Sequence, residues 1–237
     1  MLTQFFVSDL PILVGQKYEF DSQDSNHAIK VLRIETGEIF RLSDGAGLWS
    51  DIIVEDVKKK SMAVRVLSTG YEEPLDVKFT VLQAIPKGDR LKEAVELMTE
   101  GGVDEIILWK SARTISRPDK VIEKLELTAR EACKQSRRTR IPRLREAVTT
   151  NQVVPLLKNY DLVLIFHESA TMKISEVVTQ EKNVLLIIGP EGGITDEEIA
   201  LFEKEGARIV VMGRPILRSA HAGLAALSAV NALLGVW

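Results

Sequence analysis

The spacing of apolar and polar positions changes about a third of the way along the chain. Up to residue 70 the pattern is short and strand-like. Residues 38–43 and 48–56 alternate or cluster β-branched and apolar side chains. Asp44-Gly45-Ala46-Gly47 between them carries a turn signal, so the pair predicts a hairpin. Residues 61–67 alternate and predict another strand. A short helix interrupts this region, capped by Asp24 or Ser25, with Ala28, Val31 and Leu32 facing inward. Several short strands close most readily into a small β barrel.

The polar stretch 69–76, which contains Gly70 and Pro74, breaks the pattern. It predicts a linker between a first domain over 1–70 and a second over 76–237. Beyond it strands and helices alternate. Strands are expected at 77–85, 105–109, 162–166, 184–188 and 209–212. Helices are expected at 89–100, at 118–136 opened by Pro118, from Thr195 onward, and at 218–234. The helix over 118–136 places Val121, Ile122, Leu125, Ala129 and Ala132 on one face. The continuous apolar runs 162–166 and 184–188 suit strands covered on both sides. The fold class is therefore α/β with a mostly parallel sheet, preceded by a β barrel.

Composition narrows the function. Of 237 residues 45% are hydrophobic, an ordinary globular value. No apolar run approaches the roughly 20 residues needed to span a bilayer, and the first residues lack the pattern of a signal peptide. A cytoplasmic protein is expected. Cys133 is the single cysteine, so neither an intrachain disulfide nor a cysteine-based zinc site is possible. The three histidines lack metal-ligand spacing, and no metal is expected. The net charge of −3 hides an asymmetry. Residues 110–145 carry twelve Lys and Arg against four Asp and Glu, and 134–145 hold no acid at all. Such a cluster suits phosphate contacts, although helical ion pairs account for part of it.

Chemistry concentrates in two loops. Gly189-Pro190-Glu191-Gly192-Gly193 follows a buried strand and precedes a helix whose Thr195 and Glu198 have capping-box spacing. Glycines there allow positive φ and close approach of a ligand to the main chain. The loop is neither a P-loop nor a dinucleotide fingerprint. Asp196, Glu197 and Glu198 in the next turn would repel a phosphate, which disfavours a nucleotide-dependent dehydrogenase. A phosphate-free cation such as S-adenosylmethionine suits the loop better, and a purely structural turn is the plain alternative. Met212-Gly213-Arg214-Pro215-Ile216-Leu217-Arg218 forms a second irregular loop. It is expected beside the first because neighbouring strands deliver adjacent loops. It opens a helix rich in small residues.

Together these two loops resemble the paired signature of the RsmE family, the ribosomal small-subunit RNA uridine-N3 methyltransferases of the SPOUT (trefoil-knot) superfamily. Other stretches agree: His27 to Arg33, Lys87-Gly88-Asp89-Arg90 followed by Thr99 to Val103, and Glu131 to Arg138 with Pro142. The resemblance covers nearly the whole chain. It implies a PUA-like barrel that holds RNA, a deep trefoil knot, and a homodimer formed through the knot domain. It implies S-adenosylmethionine held by Phe166, His167, Glu168, Ile188, Gly189, Pro190, Glu191, Gly192, Gly193, Met212, Gly213, Ile216, Leu217 and Arg218. The partner would be 16S ribosomal RNA or the small subunit, and the product 3-methyluridine.

Methylating uracil N3 requires loss of its proton. Arg218 is the candidate to stabilise the resulting anion, with Glu191 or His221 as proton acceptor. Arg218 suits an RNA phosphate equally well, and His221 fits a packed core histidine better. Candidate RNA contacts are His27, Arg33, Lys87, Arg90, Arg137, Arg138 and Arg140. The sequence departs from the resemblance at one place: the family's usual glutamate after Ile-Leu-Arg-Thr is Ala220 here. That keeps a non-catalytic RNA-binding protein of the same fold as the competing reading.

Overall fold

The computed structural model describes residues 2–114 and 122–237, so the expectations for Arg117, Pro118, Lys120 and Val121 lie outside the described residues. The chain forms two compact units. One is Met1–Pro74 with Cys133–Ile141, the other Leu75–Ala132 with Pro142–Trp237.

The first unit contains β1 (Gln4–Phe6), β2 (Lys17–Phe20), α1 (Gln23–Lys30), β3 (Ile39–Ser43), β4 (Leu48–Val57) and β5 (Met62–Tyr71). The strands form a curled half-barrel sheet in the order β1-β3-β4-β5-β2, antiparallel except for β1 beside β3. The expected β3–β4 hairpin is present. Asp44 Oδ1 accepts from the main-chain N–H of Ala46 and Leu48, and Gly45 and Gly47 adopt positive φ in the turn. Alternation in β5 buries Met62, Val64 and Val66, and Phe5, Phe20 and Phe40 pack with ring centroids 5.3–5.5 Å apart.

Helix α1 differs from its expectation. Its N-cap is Ser22, while Ser25 is buried, its hydroxyl lying 2.7 Å from both Ser22 O and Lys60 O and able to donate to either. Val31 and Leu32 are 64% and 45% exposed. The helix stops at Lys30 and Arg33 turns the chain with φ 55°, so helical spacing no longer aims those side chains inward.

The segment 133–141 belongs to this unit although it lies far along the chain. Gln4 Nε2 donates to Arg138 O at 2.7 Å, Ser43 Oγ to Thr139 O at 3.2 Å, and Ile141 N to Gly45 O at 3.0 Å. Lys134 and Asp24 form a largely buried ion pair at 2.6 Å.

The second unit contains β6 (Lys78–Ala84), α2 (Arg90–Glu100), β7 (Glu105–Lys110), α3 (Ile122–Ser136, whose last turn lies with the first unit), β8 (Arg143–Thr149) and α4 (Thr150–Val153). There follow β9 (Leu162–Phe166), β10 (Asn183–Ile188), α5 (Asp196–Lys204), β11 (Arg208–Val210) and α6 (Ser219–Leu233). All six strands are parallel, in the order β11-β9-β10-β6-β7-β8. The central strands β9, β10 and β6 are largely apolar and buried because both faces are covered, with Thr80 and Gln83 as buried polar positions on β6. On one face Trp109 and Phe202 meet at 5.5 Å among Ile165, Ile187 and Leu185. On α2, Leu91, Ala94, Val95 and Met98 are buried at helical spacing.

The end of the chain runs back across the sheet. Val211 N donates to Met172 O at 3.0 Å, so the β9–β10 connection lies against the segment leaving β11. Helix α6 then packs on α2, β10 and β6, and against the short 3-10 turn Ile174–Glu176 of that same connection.

Candidate active site

The loops leaving β9, β10 and β11 enclose a cavity of about 1090 Å³ at the carboxyl edge of the sheet. This is the usual place for a ligand in an open parallel sheet, and the size reaches the top of the ordinary range for ligand pockets. Every residue expected to hold the methyl donor lines it, except Gly192. The sequence missed Lys173, Ile174 and Ser175, and also Ala229, Ala232 and Leu233 of α6. Residues 173–175 reach the cavity only because the β9–β10 connection folds over the later chain, which leaves no local signal. The reason given for the two loops meeting also needs correction. Strands β10 and β11 are not neighbours, since β9 lies between them, and the 212–218 stretch returns past the end of β9.

The glycine-rich loop is fastened from several sides. Ser219 Oγ donates to Gly189 O at 2.7 Å. The Glu191 carboxylate accepts from Lys87 N and from Arg90 Nη1, both at 3.3 Å. Arg113 Nη1 donates to Gly192 O at 2.6 Å. Gly193 takes φ 77°, and a Cβ on Gly189 would lie 2.8 Å from Ile194 Cγ1. Positive φ is thus needed at one glycine and close packing at another.

The capping box at Thr195 forms as expected: Glu198 N donates to Thr195 Oγ1 at 3.2 Å, and Thr195 N donates to Glu198 Oε2 at 3.2 Å. Glu198 is buried, and its other oxygen accepts from Ala112 N at 2.8 Å and Thr150 Oγ1 at 2.7 Å. It is a structural hub, which leaves Asp196 and Glu197 as the exposed carboxylates of that turn. Hydrogen bonds from its own main chain and from Thr195 hold Glu197 below the usual carboxylate range.

Arg218 and Glu191 border the cavity, whereas His221 does not. His221 is exposed, with Nε2 3.1 Å from Glu93 Oε1, so it is not a packed core histidine. Its position one turn into α6 turns the ring toward α2 instead of inward. His167 lines the cavity, and its Nδ1 lies 2.8 Å from Ser169 Oγ. Ala220 is buried.

In the first unit His27, Arg33 and Arg137 are exposed, the last with φ 60°. The Arg140 guanidinium donates to Glu72 O from Nε and Nη2 and lies 5.0 Å from the Tyr71 ring centroid, so much of its donor capacity serves the fold. Arg138 is half-buried. Lys87 and Arg90 lie in the second unit, at Glu191. Burial pushes the Cys133 thiol up to about 11, which makes it a poor nucleophile. Among the described residues no three His, Cys, Asp or Glu converge on a metal position, and no helix is long and apolar enough to cross a membrane.

A parallel sheet whose C-terminal segment folds back beneath its own β9–β10 connection, with a glycine-rich crevice at the carboxyl edge, defines the trefoil-knot class of RNA methyltransferases. The family model for an RNA methyltransferase domain matches residues 72–231, and that for an RNA methyltransferase PUA domain matches residues 20–67. Ribosomal RNA small subunit methyltransferase E from Mycobacterium bovis is 35% identical, over 98% of this chain and 92% of its own length. A methyltransferase from Legionella pneumophila, solved with S-adenosylmethionine bound, superposes with a TM-score of 0.88 at 31% identity, covering 98% of each chain. The same fold is seen in ribosomal RNA small subunit methyltransferase E from Neisseria gonorrhoeae, with TM-score 0.88, 24% identity and 98% of each chain covered. The chain belongs to the ribosomal RNA small subunit methyltransferase E family.

Proposed function

We propose that this chain transfers a methyl group from S-adenosylmethionine to N3 of a uridine in 16S ribosomal RNA. The observation that carries the reading is the cavity in which the Gly189–Gly193 and Met212–Arg218 stretches meet. The cavity fits the donor in kind. Main chain and apolar side chains such as Ile174, Ile188 and Ile216 line it, and Asp196 and Glu197, exposed in the helical turn that follows the loop, disfavour a phosphate. When bound, S-adenosylmethionine supplies an electrophilic methyl group.

The chain's own residues supply the rest. Gly189, Pro190 and Gly193 shape the floor, with Phe166, His167 and Glu168 at the end of β9 and Met212, Gly213, Ile216 and Leu217 opposite. Arg218, at the rim where α6 begins, stabilises negative charge on the uracil oxygens as N3 loses its proton. Of the two proton-acceptor candidates only Glu191 borders the cavity, so the proposal gives it that task beside its loop contacts. RNA phosphates are held by the first unit through His27, Arg33, Arg137, Arg138 and Arg140, with Lys87 and Arg90 contributing from the second. Ile216, Leu217, Leu233 and Trp237 leave large apolar surfaces exposed on the second unit, which supports a homodimer formed there.

The test is direct. Purified protein incubated with unmodified 16S RNA or small subunits and S-adenosylmethionine yields 3-methyluridine, read by nucleoside mass spectrometry. A methyl group on another atom, or none, sinks the proposal. The non-catalytic reading rests on Ala220, which supplies no carboxylate where the family usually has one. Tight donor binding by calorimetry with no methyl transfer would establish it.

A further inference from the structure

We infer that Gln83 and Ser219 form a positioning relay that holds the glycine-rich loop and Arg218 in register, an inference that rests on the methyl-donor reading of the cavity. Gln83 sits near the end of the central strand β6 and is fully buried. A covered parallel strand normally carries an apolar side chain there. Its amide Nε2 donates to Ala84 O at 2.9 Å and to Ser219 Oγ at 3.0 Å. The Ser219 hydroxyl donates in turn to Gly189 O at 2.7 Å.

Every direction in this chain of bonds is determined. A hydroxyl has one proton, so a serine that gives it to Gly189 must accept from the amide. Turning the amide over would set Oε1 against Ala84 O, acceptor facing acceptor. Oε1 itself is buried without a hydrogen-bond partner. Such an atom is unusual and destabilising. It is tolerable only where the N–H side of the same amide does something an apolar residue cannot.

Packing brings the relay together. Gly223 lies one turn after Ser219 on the same face of α6. A Cβ on Gly223 would stand 2.6 Å from Met98 Sδ, so the absent side chain lets α6 press against α2. Ser219 then reaches both Gln83 and Gly189. Gly189 opens the loop after β10, and Ser219 directly follows Arg218. One hydroxyl thus ties the start of the donor loop to the residue beside the proposed anion stabiliser, with Gln83 as the fixed post in the sheet.

The experiment compares full-length wild type, Ser219→Ala, Ser219→Thr, Gln83→Met and the double variant Ser219→Ala/Gln83→Met. Calorimetry measures the Kd for S-adenosylmethionine, and turnover is measured at saturating donor. Ser219→Ala is expected to weaken donor binding about tenfold and to lower saturated turnover about tenfold. Ser219→Thr, which keeps the hydroxyl, restores both. The double variant is no worse than the poorer single one, because either change breaks the same relay. Full turnover by Ser219→Ala at saturating donor would overturn the inference, as would failure of Ser219→Thr to rescue. Should Ser219→Ala not fold, Ser219→Cys, of similar size but a weak donor, takes its place with the same expectations. A wild type that binds no donor sinks the proposed function itself. A wild type that binds and turns over, matched by Ser219→Ala, sinks only the relay.

Discussion

Two loops face each other across the cavity, and they are built differently. Residues 189–193 are tied by Ser219, Arg113, Lys87 and Arg90, and Ile194 is buried just behind them. Among the described residues no hydrogen bond fastens Gly213–Leu217 to the rest of the second unit, and Ile216 is 79% exposed. The first loop is shaped before any ligand arrives. The second is held only at its ends, by Val211 against Met172 and by the start of α6. Pre-shaping lowers the cost of ordering on binding, so affinity should reside in the first loop. The second is free to close over a ligand or a partner and to carry Arg218 with it.

That contrast can be broken in several ways. The largest effect is expected from Arg218→Ala, with turnover down about 10²–10³-fold and donor Kd little changed, as for loss of one group that stabilises a developing anion. Turnover within a few-fold of wild type would remove Arg218 from the chemistry. Gly189→Ala comes next. Its Cβ would meet Ile194 at 2.8 Å in a packed setting, so about 1–3 kcal/mol of overpacking is expected, read as a lower Tm with weaker donor binding. An unchanged Tm would show that the first loop is less constrained than its contacts suggest. Third, saturating S-adenosylmethionine should slow amide hydrogen exchange at 213–217 by about tenfold, and at 189–193 by much less. The reverse pattern would invert the comparison. The smallest effect belongs to Glu191→Gln with methyl transfer set aside. Its partner Arg90 is half exposed, so the lost pair costs well under about 1 kcal/mol and donor affinity falls only a few-fold.

Much of this was legible along the chain. The apolar runs of β9 and β10 identify buried parallel strands because both faces of each are covered. The spacing of Thr195 and Glu198 announces a helix start because a cap is a local bond between residues three apart. The stretches around Gly189 and Met212 carry enough of a shared signature to point to the family. Where the sequence reading missed, the cause was distance along the chain. Val31 and Leu32 are the local exception, since the helix stops at Lys30 and Arg33 turns the backbone just beyond them. Glu198 looks like a surface charge until Ala112 and Thr150 surround it.

By itself, then, the sequence determined most of the strands and helices, though not β1, β2, β8 or α4, together with residues able to line a main-chain crevice, since these depend on neighbours a few positions apart. The tertiary structure alone decided that 133–141 lies with the first unit and that residues 173–175 close the cavity. It alone decided that β9 separates the strands feeding the two loops, and that a serine on α6 grips a carbonyl thirty residues earlier. Each of these is a meeting of segments far apart in the chain. Such meetings are set by how whole elements stack and cross, which no local spacing of side chains records.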